Sequence, residues 1–152
     1  MRGVDQVSID IAAPPERVWS LLTDVTQMGR WSPECHRCEW VDGASGPKVG
    51  AKFKGWNKRG VMRWSTVSTV VTADAPSHFA WQVDTSGMRW GYRFDDDGES
   101  GTHVTEYREE VSGKPLYVKV AYKLGLLGRD PDAIVVNGMR ETLGRLKAAA
   151  EG

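Results

Sequence analysis

From Cys35 to Val111 the chain repeats one pattern: short runs of alternating apolar and polar character, then a few turn-forming residues. "CHRCEWV" runs into Asp42-Gly43 and the Gly/Ser/Pro-rich loop "DGASGPKVG". "AKFKGWN" and "RWSTVSTVVTA" are separated by Lys58-Arg59-Gly60, and "HFAWQV" and "MRWGYRF" by Asp84 to Gly87. "THVTEYREEV" follows Asp95-Asp96-Asp97-Gly98. Period-two alternation with turn residues between the runs reads as strands. Links this short cannot make the crossover that parallel pairing needs, so the strands form an antiparallel meander. Asp95 to Glu99 lacks the spread of ligands over about twelve residues that a calcium loop requires, and reads as a hairpin turn.

A meander must bury one face, and the flanking segments supply the cover. Val4 to Ile11 alternates, with Val7, Ile9 and Ile11 on one face. In "APPERVWSLLTDV", Pro14 and Pro15 suit a helix start and Glu16 suits its first turn. Val18, Leu21, Leu22 and Val25 then give an apolar stripe. "TQMGRWSPE" continues as a short irregular helix that stops before Pro33. Near the end, Asp130 can cap a helix that begins at Pro131, with Val135, Met139, Leu143 and Leu146 on its apolar stripe. "LYVKVAYKLGLL" before it fits both periods, with helix the preferred reading. The order predicts a single α+β domain over residues 1–152, a curved antiparallel sheet around a long C-terminal helix with a space between them.

Composition narrows the function. Twenty Lys plus Arg balance twenty Asp plus Glu, with no basic block, which argues against nucleic-acid binding. No segment approaches the roughly 18 apolar residues of a membrane span, and the N-terminus lacks the apolar run of a signal sequence. Two cysteines make no disulfide framework. The expectation is a cytoplasmic protein, monomeric or homodimeric, without integral membrane association.

"AAPPERVWSLLTDVTQMGRWSPE" near the start, "VGAKFKGWNKRG" with "RWSTVSTV" in the middle and "NGMRETLGRLKAAAE" at the end resemble the polyketide cyclase/dehydrase-like branch of the START-related (Bet v 1-like, SRPBCC) superfamily. The resemblance covers essentially the whole chain. It implies a helix-grip fold, a seven-stranded antiparallel sheet wrapped around the last helix with a cavity between. Members include lipid and hormone binders and aromatase/cyclases. The family has no shared catalytic residue, so the resemblance assigns none here.

"PECHRCEW" places both cysteines three positions apart with His36 between them. A zinc knuckle needs a tight turn and a second ligand pair, and neither is visible, since His78 and His103 stand alone. A redox pair of the thioredoxin kind sits at a helix N-terminus after a strand, whereas here helices precede and a strand follows. In a regular strand Cys35 and Cys38 point to opposite faces, and only His36 and Cys38 share one. The expectation is a strand containing sulfur, with no metal site and no cofactor.

The remaining signal is the content of the inward rows. Phe53, Gly55 and Asn57 share a face, as do Trp64, Thr66, Ser68 and Val70. Phe79, Trp81 and Val83 form a third row, and Met88, Trp90, Tyr92 and Phe94 a fourth. On the last strand Thr102, Val104, Glu106 and Arg108 go together. A dry core would not mix aromatics with Asn, Thr, Ser and Glu, because a buried polar group without a partner costs about 1–3 kcal/mol. Apolar walls with a few placed polar groups are the composition of a small-molecule site. Phe53, Asn57, Trp64, Trp81, Trp90, Tyr92, Glu106 and Met139 are the expected ligand-lining residues. Two functions follow: a carrier of an apolar, lipid- or polyketide-like molecule, or a cyclase/dehydratase-type enzyme with Glu106, Tyr92 or His103 as acid–base group. The sequence displays no pre-arranged acid–base pair, and Arg108 could simply pair with Glu106, which favours the carrier.

Overall fold

A computed structural model describes residues 5–110 and 131–152. Its strands are β1 (Asp5–Ile11), β2 (Cys35–Val41), β3 (Lys52–Arg59), β4 (Met62–Asp74), β5 (His78–Val83), β6 (Met88–Asp96) and β7 (Thr102–Glu110). Its helices are α1 (Pro15–Leu22), α2 (Met28–Trp31) and α3 (Pro131–Glu151), with a 3₁₀ turn at Val25–Gln27 before α2. The proposed cap at Asp130, the segment "LYVKVAYKLGLL" and the end of the last strand at Val111 lie outside the described residues.

The seven strands form one antiparallel sheet in the order β1-β7-β6-β5-β4-β3-β2. β2 to β7 are the expected meander, and β1 adds beside β7 with Asp5 opposite Arg108 and Ile11 opposite Thr102. β3 and β4 meet in a two-residue turn, Gly60-Val61, where Gly60 adopts φ +60°. That conformation places a side chain against the backbone, and glycine lacks the obstacle. At the β6–β7 turn the Asp97 carboxylate accepts from the backbone N–H groups of Glu99 and Gly101, and Asp96 accepts from Gly98. These carboxylates are therefore engaged by the turn itself. Register shifts occur between Val70 and Thr72 in β4 and between Cys35 and Arg37 in β2. Each is a bulge, which bends its strand and increases the twist.

α3 packs on β1, β7, α1 and α2. Its second half is core: Leu143 and Leu146 have no exposed surface and meet Val18, Leu22, Phe79, Phe94 and Val104 in one cluster. Trp19 of α1 sets its ring edge-on to Phe79 and Phe94. Leu21, expected on the α1 stripe, is only half-buried. The end of α3 is tied to the β1–α1 corner: Lys147 Nζ donates to the Asp10 carbonyl, Ala12 N to Glu151 Oε2 and Arg17 Nε to the Ala150 carbonyl. The last of these satisfies a terminal carbonyl that a helix leaves unpaired. Anchored at that end, α3 leaves its first half over the open part of the sheet.

Candidate functional site

Between the first half of α3, the α2–β2 junction and the inner face of β3 to β7 lies a cavity of about 740 Å³. Strand alternation builds its floor. Phe53, Gly55 and Asn57 from β3, Trp64, Thr66 and Ser68 from β4, and Trp81 and Val83 from β5 line it. Trp90 and Tyr92 from β6 and Glu106 and Arg108 from β7 complete the floor, and Val135, Met139 and Thr142 of α3 face it. Cross-strand register keeps these rows on one face: Phe53 opposes Ser68, Asn57 opposes Trp64, Trp81 opposes Trp90 and Tyr92 opposes Glu106. The same rows run into the core at their other ends, through Val70, Phe79, Phe94 and Val104. Met88, at the end of the β6 row, is half-buried and does not line the cavity. Phe53 and Trp81 meet edge to face at 5.5 Å, and Trp81 and Tyr92 at 5.8 Å with tilted rings. All eight residues expected from the sequence to line a cavity do line this one. Met28, Ser32, Pro33 and Glu34 line it too, and nothing in their local pattern marks them.

Tyr92 Oη donates a 2.7 Å hydrogen bond to Glu106 Oε2, and both side chains are buried. Glu106 Oε1 is also buried and has no hydrogen-bond partner among the described residues. Burial pushes the Glu106 carboxyl up to about 8, against the smaller opposing effect of the Tyr92 hydrogen bond. Burial likewise raises the Tyr92 hydroxyl, reinforced by the neighbouring carboxyl. At neutral pH the pair is a protonated acid accepting from a protonated phenol, with Glu106 Oε1 the polar atom left to the chamber.

Two expectations about β7 are corrected. Arg108 shares the face of Glu106 but does not pair with it: its Nη2 donates to Asp5 Oδ2 at 2.7 Å. Residues two apart on a strand are separated by about 6–7 Å, whereas Asp5 lies directly across the β1–β7 ladder from Arg108. The Arg108 guanidinium also sits 5.9 Å from the Trp90 ring centre. His103, proposed as an acid–base group, lies at odd spacing from Glu106 and so points to the outer face. There its Nδ1 is 2.7 Å from Asp10 Oδ1 and its side chain is 47% exposed. Tyr92 and Glu106 come together, and His103 does not join them. Tyr92 and Glu106 lie fourteen positions apart and meet across neighbouring strands, a contact that spacing along the chain does not display.

The cysteines are the third correction. Cys35 pairs with Asn57 and Cys38 with Gly55, so three steps on β2 match two on β3. The extra residue is His36, which is exposed. A bulge shifts the alternation by one, so Cys35 and Cys38 share the inward face and both line the cavity. Cys35 Sγ donates to the Arg37 carbonyl oxygen at 3.2 Å, and both cysteines are free. Divergence therefore no longer argues against a metal. No group of three or more His, Cys, Asp or Glu able to hold a metal ion occurs among the described residues.

Residues 5–151 match the family model described as polyketide cyclase/dehydrase and lipid transport. The chain belongs to this family. The Polyketide_cyc-like protein Cgl2372 from Corynebacterium glutamicum is 31% identical, with a TM-score of 0.60 over 97% of this chain and 88% of that one. The Zhui aromatase/cyclase from Streptomyces sp. R1128 shares the fold, with a TM-score of 0.74, 15% identity and coverage of 98% and 93%. TTHA0849 from Thermus thermophilus does so with a TM-score of 0.72, 17% identity and 97% coverage of both chains. No curated protein matches the chain. The family's helix-grip architecture accounts for the observed arrangement, a meander gripping a terminal helix with a chamber between. No helix among the described residues is long and apolar enough to cross a membrane.

Proposed function

We propose that the protein encloses a largely apolar, lipid- or polyketide-like small molecule between the sheet and α3 and releases it unchanged. The observation that carries this reading is an aromatic chamber with one buried carboxyl oxygen, Glu106 Oε1, that has no hydrogen-bond partner among the described residues. Leaving such an atom unpaired costs about 1–3 kcal/mol, and a ligand carbonyl or hydroxyl would relieve it. Phe53, Trp64, Trp81, Trp90 and Met139 supply the apolar contact, and Asn57, Tyr92 and Glu106 the polar orientation. Binding is favoured over base catalysis because a general base must be ionised at its working pH. Burial holds Glu106 protonated at neutrality. The reading requires no cofactor.

One observation favours a second reading. A carboxylic acid with a pKa of about 8 in an apolar chamber is suited to give a proton as well as to share one. In that reading the protein is a cyclase/dehydratase-type enzyme with Glu106 as general acid and Tyr92 positioning it.

Titration with a flavonoid, a fatty acid and an apolar dye, followed by tryptophan fluorescence, tests the shared premise. A saturable change is expected from at least one, with the ligand recovered unchanged by mass spectrometry. Recovery of a dehydrated or cyclised product from a polyketide-like compound, abolished by Glu106→Gln with binding kept, would establish the enzyme instead. No saturable change with any ligand, and no small molecule co-purifying in native mass spectrometry, would overturn both.

A further inference from the structure

The β3–β4 hairpin runs past the strands on either side of it. β2 stops pairing with β3 at Asn57, and β5 stops pairing with β4 at Ser68. Beyond those points one backbone bond holds each side, Lys58 N to the Glu34 carbonyl and Asp84 N to the Val67 carbonyl. The tip therefore projects from the sheet, and it does so at the edge of the cavity, which Arg59, Gly60 and Ile134 of α3 border. Val61 at the tip is fully exposed, and Met62 and Ile134 are exposed as well. Of the large apolar side chains exposed among the described residues, only Val49 lies elsewhere, beyond the opposite end of β3.

Charge is gathered at the same place. From Ala51 to Ala73 the chain carries Lys52, Lys54, Lys58, Arg59 and Arg63 and no Asp or Glu, although the whole chain is neutral. Lys58 and Arg63 stand directly opposite each other across the β3–β4 ladder. Like charges so placed are destabilising. Neither side chain has a hydrogen bond or ion pair among the described residues, whereas the nearby carboxylates of Glu34 and Asp84 are held by Arg59 and Lys52. Turns of a meander alternate between its two ends, so the acidic β6–β7 turn, Asp95 to Glu99, lies at the far end from this tip. The molecule thus presents one end that is cationic with an apolar point, and a repulsion there that folding alone does not require.

We propose that the β3–β4 tip, Lys58 to Arg63, together with Ile134 docks the protein on an anionic lipid bilayer. Val61 and Met62 enter the headgroup region, and Lys58 and Arg63 meet the lipid phosphates and carboxylates. Charge complementarity selects an anionic partner, and the apolar point selects among such partners. A nucleic acid would engage the cations and leave Val61 and Met62 in water, whereas a membrane interface takes both. Two apolar side chains and a few cations give reversible attachment to the surface, without a spanning segment. Docking in this orientation sets the edge of the cavity against the bilayer, a path for an apolar ligand that avoids water. That last consequence rests on the ligand reading above; the docking itself does not.

The test is sedimentation of the ligand-free full chain with vesicles of phosphatidylserine and phosphatidylcholine in equal parts, beside vesicles of phosphatidylcholine alone. Binding is expected to the mixed vesicles only, and to be released as salt rises from about 0.05 to 0.5 M. Each cation near the surface contributes roughly fivefold, so Lys58→Gln with Arg63→Gln should weaken binding roughly 25-fold. Val61→Ser with Met62→Ser keeps the charge and should weaken it roughly tenfold through lost apolar burial. All four side chains are exposed, and neither double variant should lower the Tm. Equal sedimentation with both kinds of vesicle, or full binding by either double variant, would overturn the proposal. Binding to polyuridylic acid or polyglutamate as tight as to the mixed vesicles would overturn the bilayer as the partner. Because no ligand is present, failure here leaves the fluorescence titration standing, and failure of that titration leaves the docking standing.

Discussion

Tyr92 and Glu106 face each other across the β6–β7 ladder and share a 2.7 Å hydrogen bond, with the second Glu106 oxygen unpaired among the described residues in the cavity wall. The cross-strand position makes the contact, and the apolar surroundings decide its protonation.

Stability should therefore fall with rising pH over a defined window. Glu106 is lifted from 4.5 to about 8 in the folded protein, so between these values the native state holds a proton that the unfolded chain has released. Its stabilising contribution is fully present below about pH 4.5, erodes above it, and is gone once the pH has risen through about 8. The slope from one such group is at most ~1.4 kcal/mol per pH unit. Glu106→Gln keeps an acceptor for Tyr92 and removes the titration. Thermal unfolding from about pH 5 to 9 should show a flatter profile for the variant and a higher Tm than wild type at the alkaline end. Equal slopes would refute the assignment.

Trp90 and Trp56 provide a matched pair for the cavity. Trp90 lines it, whereas Trp56 lies outside it between Arg37 and Lys54, at 4.5 and 5.0 Å from its ring centre. Trp90→Leu should weaken ligand-induced fluorescence change by roughly tenfold in ligand concentration, the equivalent of about 1.4 kcal/mol of lost contact. Trp56→Leu should leave the titration in place. Equal effects would argue for binding at the outer face.

α3 divides into an anchoring half and a cavity half, which should respond differently to truncation. Leu143 has no exposed surface, and Leu143→Ala should cost about 2–5 kcal/mol in denaturant unfolding. Ile134 is 37% exposed at the cavity end, and Ile134→Ala should cost a small fraction of that. A loss below about 0.5 kcal/mol for Leu143→Ala is smaller than any buried leucine of this kind gives, and would show that the helix is not held as described.

Gly29 allows α2 to reach the bulge. A methyl group there would meet the His36 carbonyl oxygen at 2.7 Å, and backbone cannot swing aside as a flexible side chain does. Gly29→Ala should destabilise by about 1–3 kcal/mol, as overpacking does. It should also alter the reactivity of Cys35 towards a thiol reagent, since His36 is the bulged residue beside it. Unchanged stability and reactivity would mean the junction is slack.

Much of this protein was legible in its chain because strand alternation is a local property. Period two, broken by Asp-Gly, Lys-Arg-Gly and Ser-Gly turns, determined six consecutive antiparallel strands and, away from the bulge in β2, which residues share a face. The leucine stripe at 3.6-residue spacing determined the inner side of α3, and Glu106 followed Val104 inward. Three things needed the tertiary structure. The Tyr92–Glu106 bond and the Arg108–Asp5 pair depend on register between strands, which brings together residues 14 and 103 positions apart. The convergence of Cys35 and Cys38 depends on one extra residue in β2, and a bulge inverts the face of everything before it without changing a letter of the pattern. The raised Glu106 value depends on burial from every side. Local spacing sets where a side chain points, but neighbours from distant parts of the chain set what it meets and which charge it can hold.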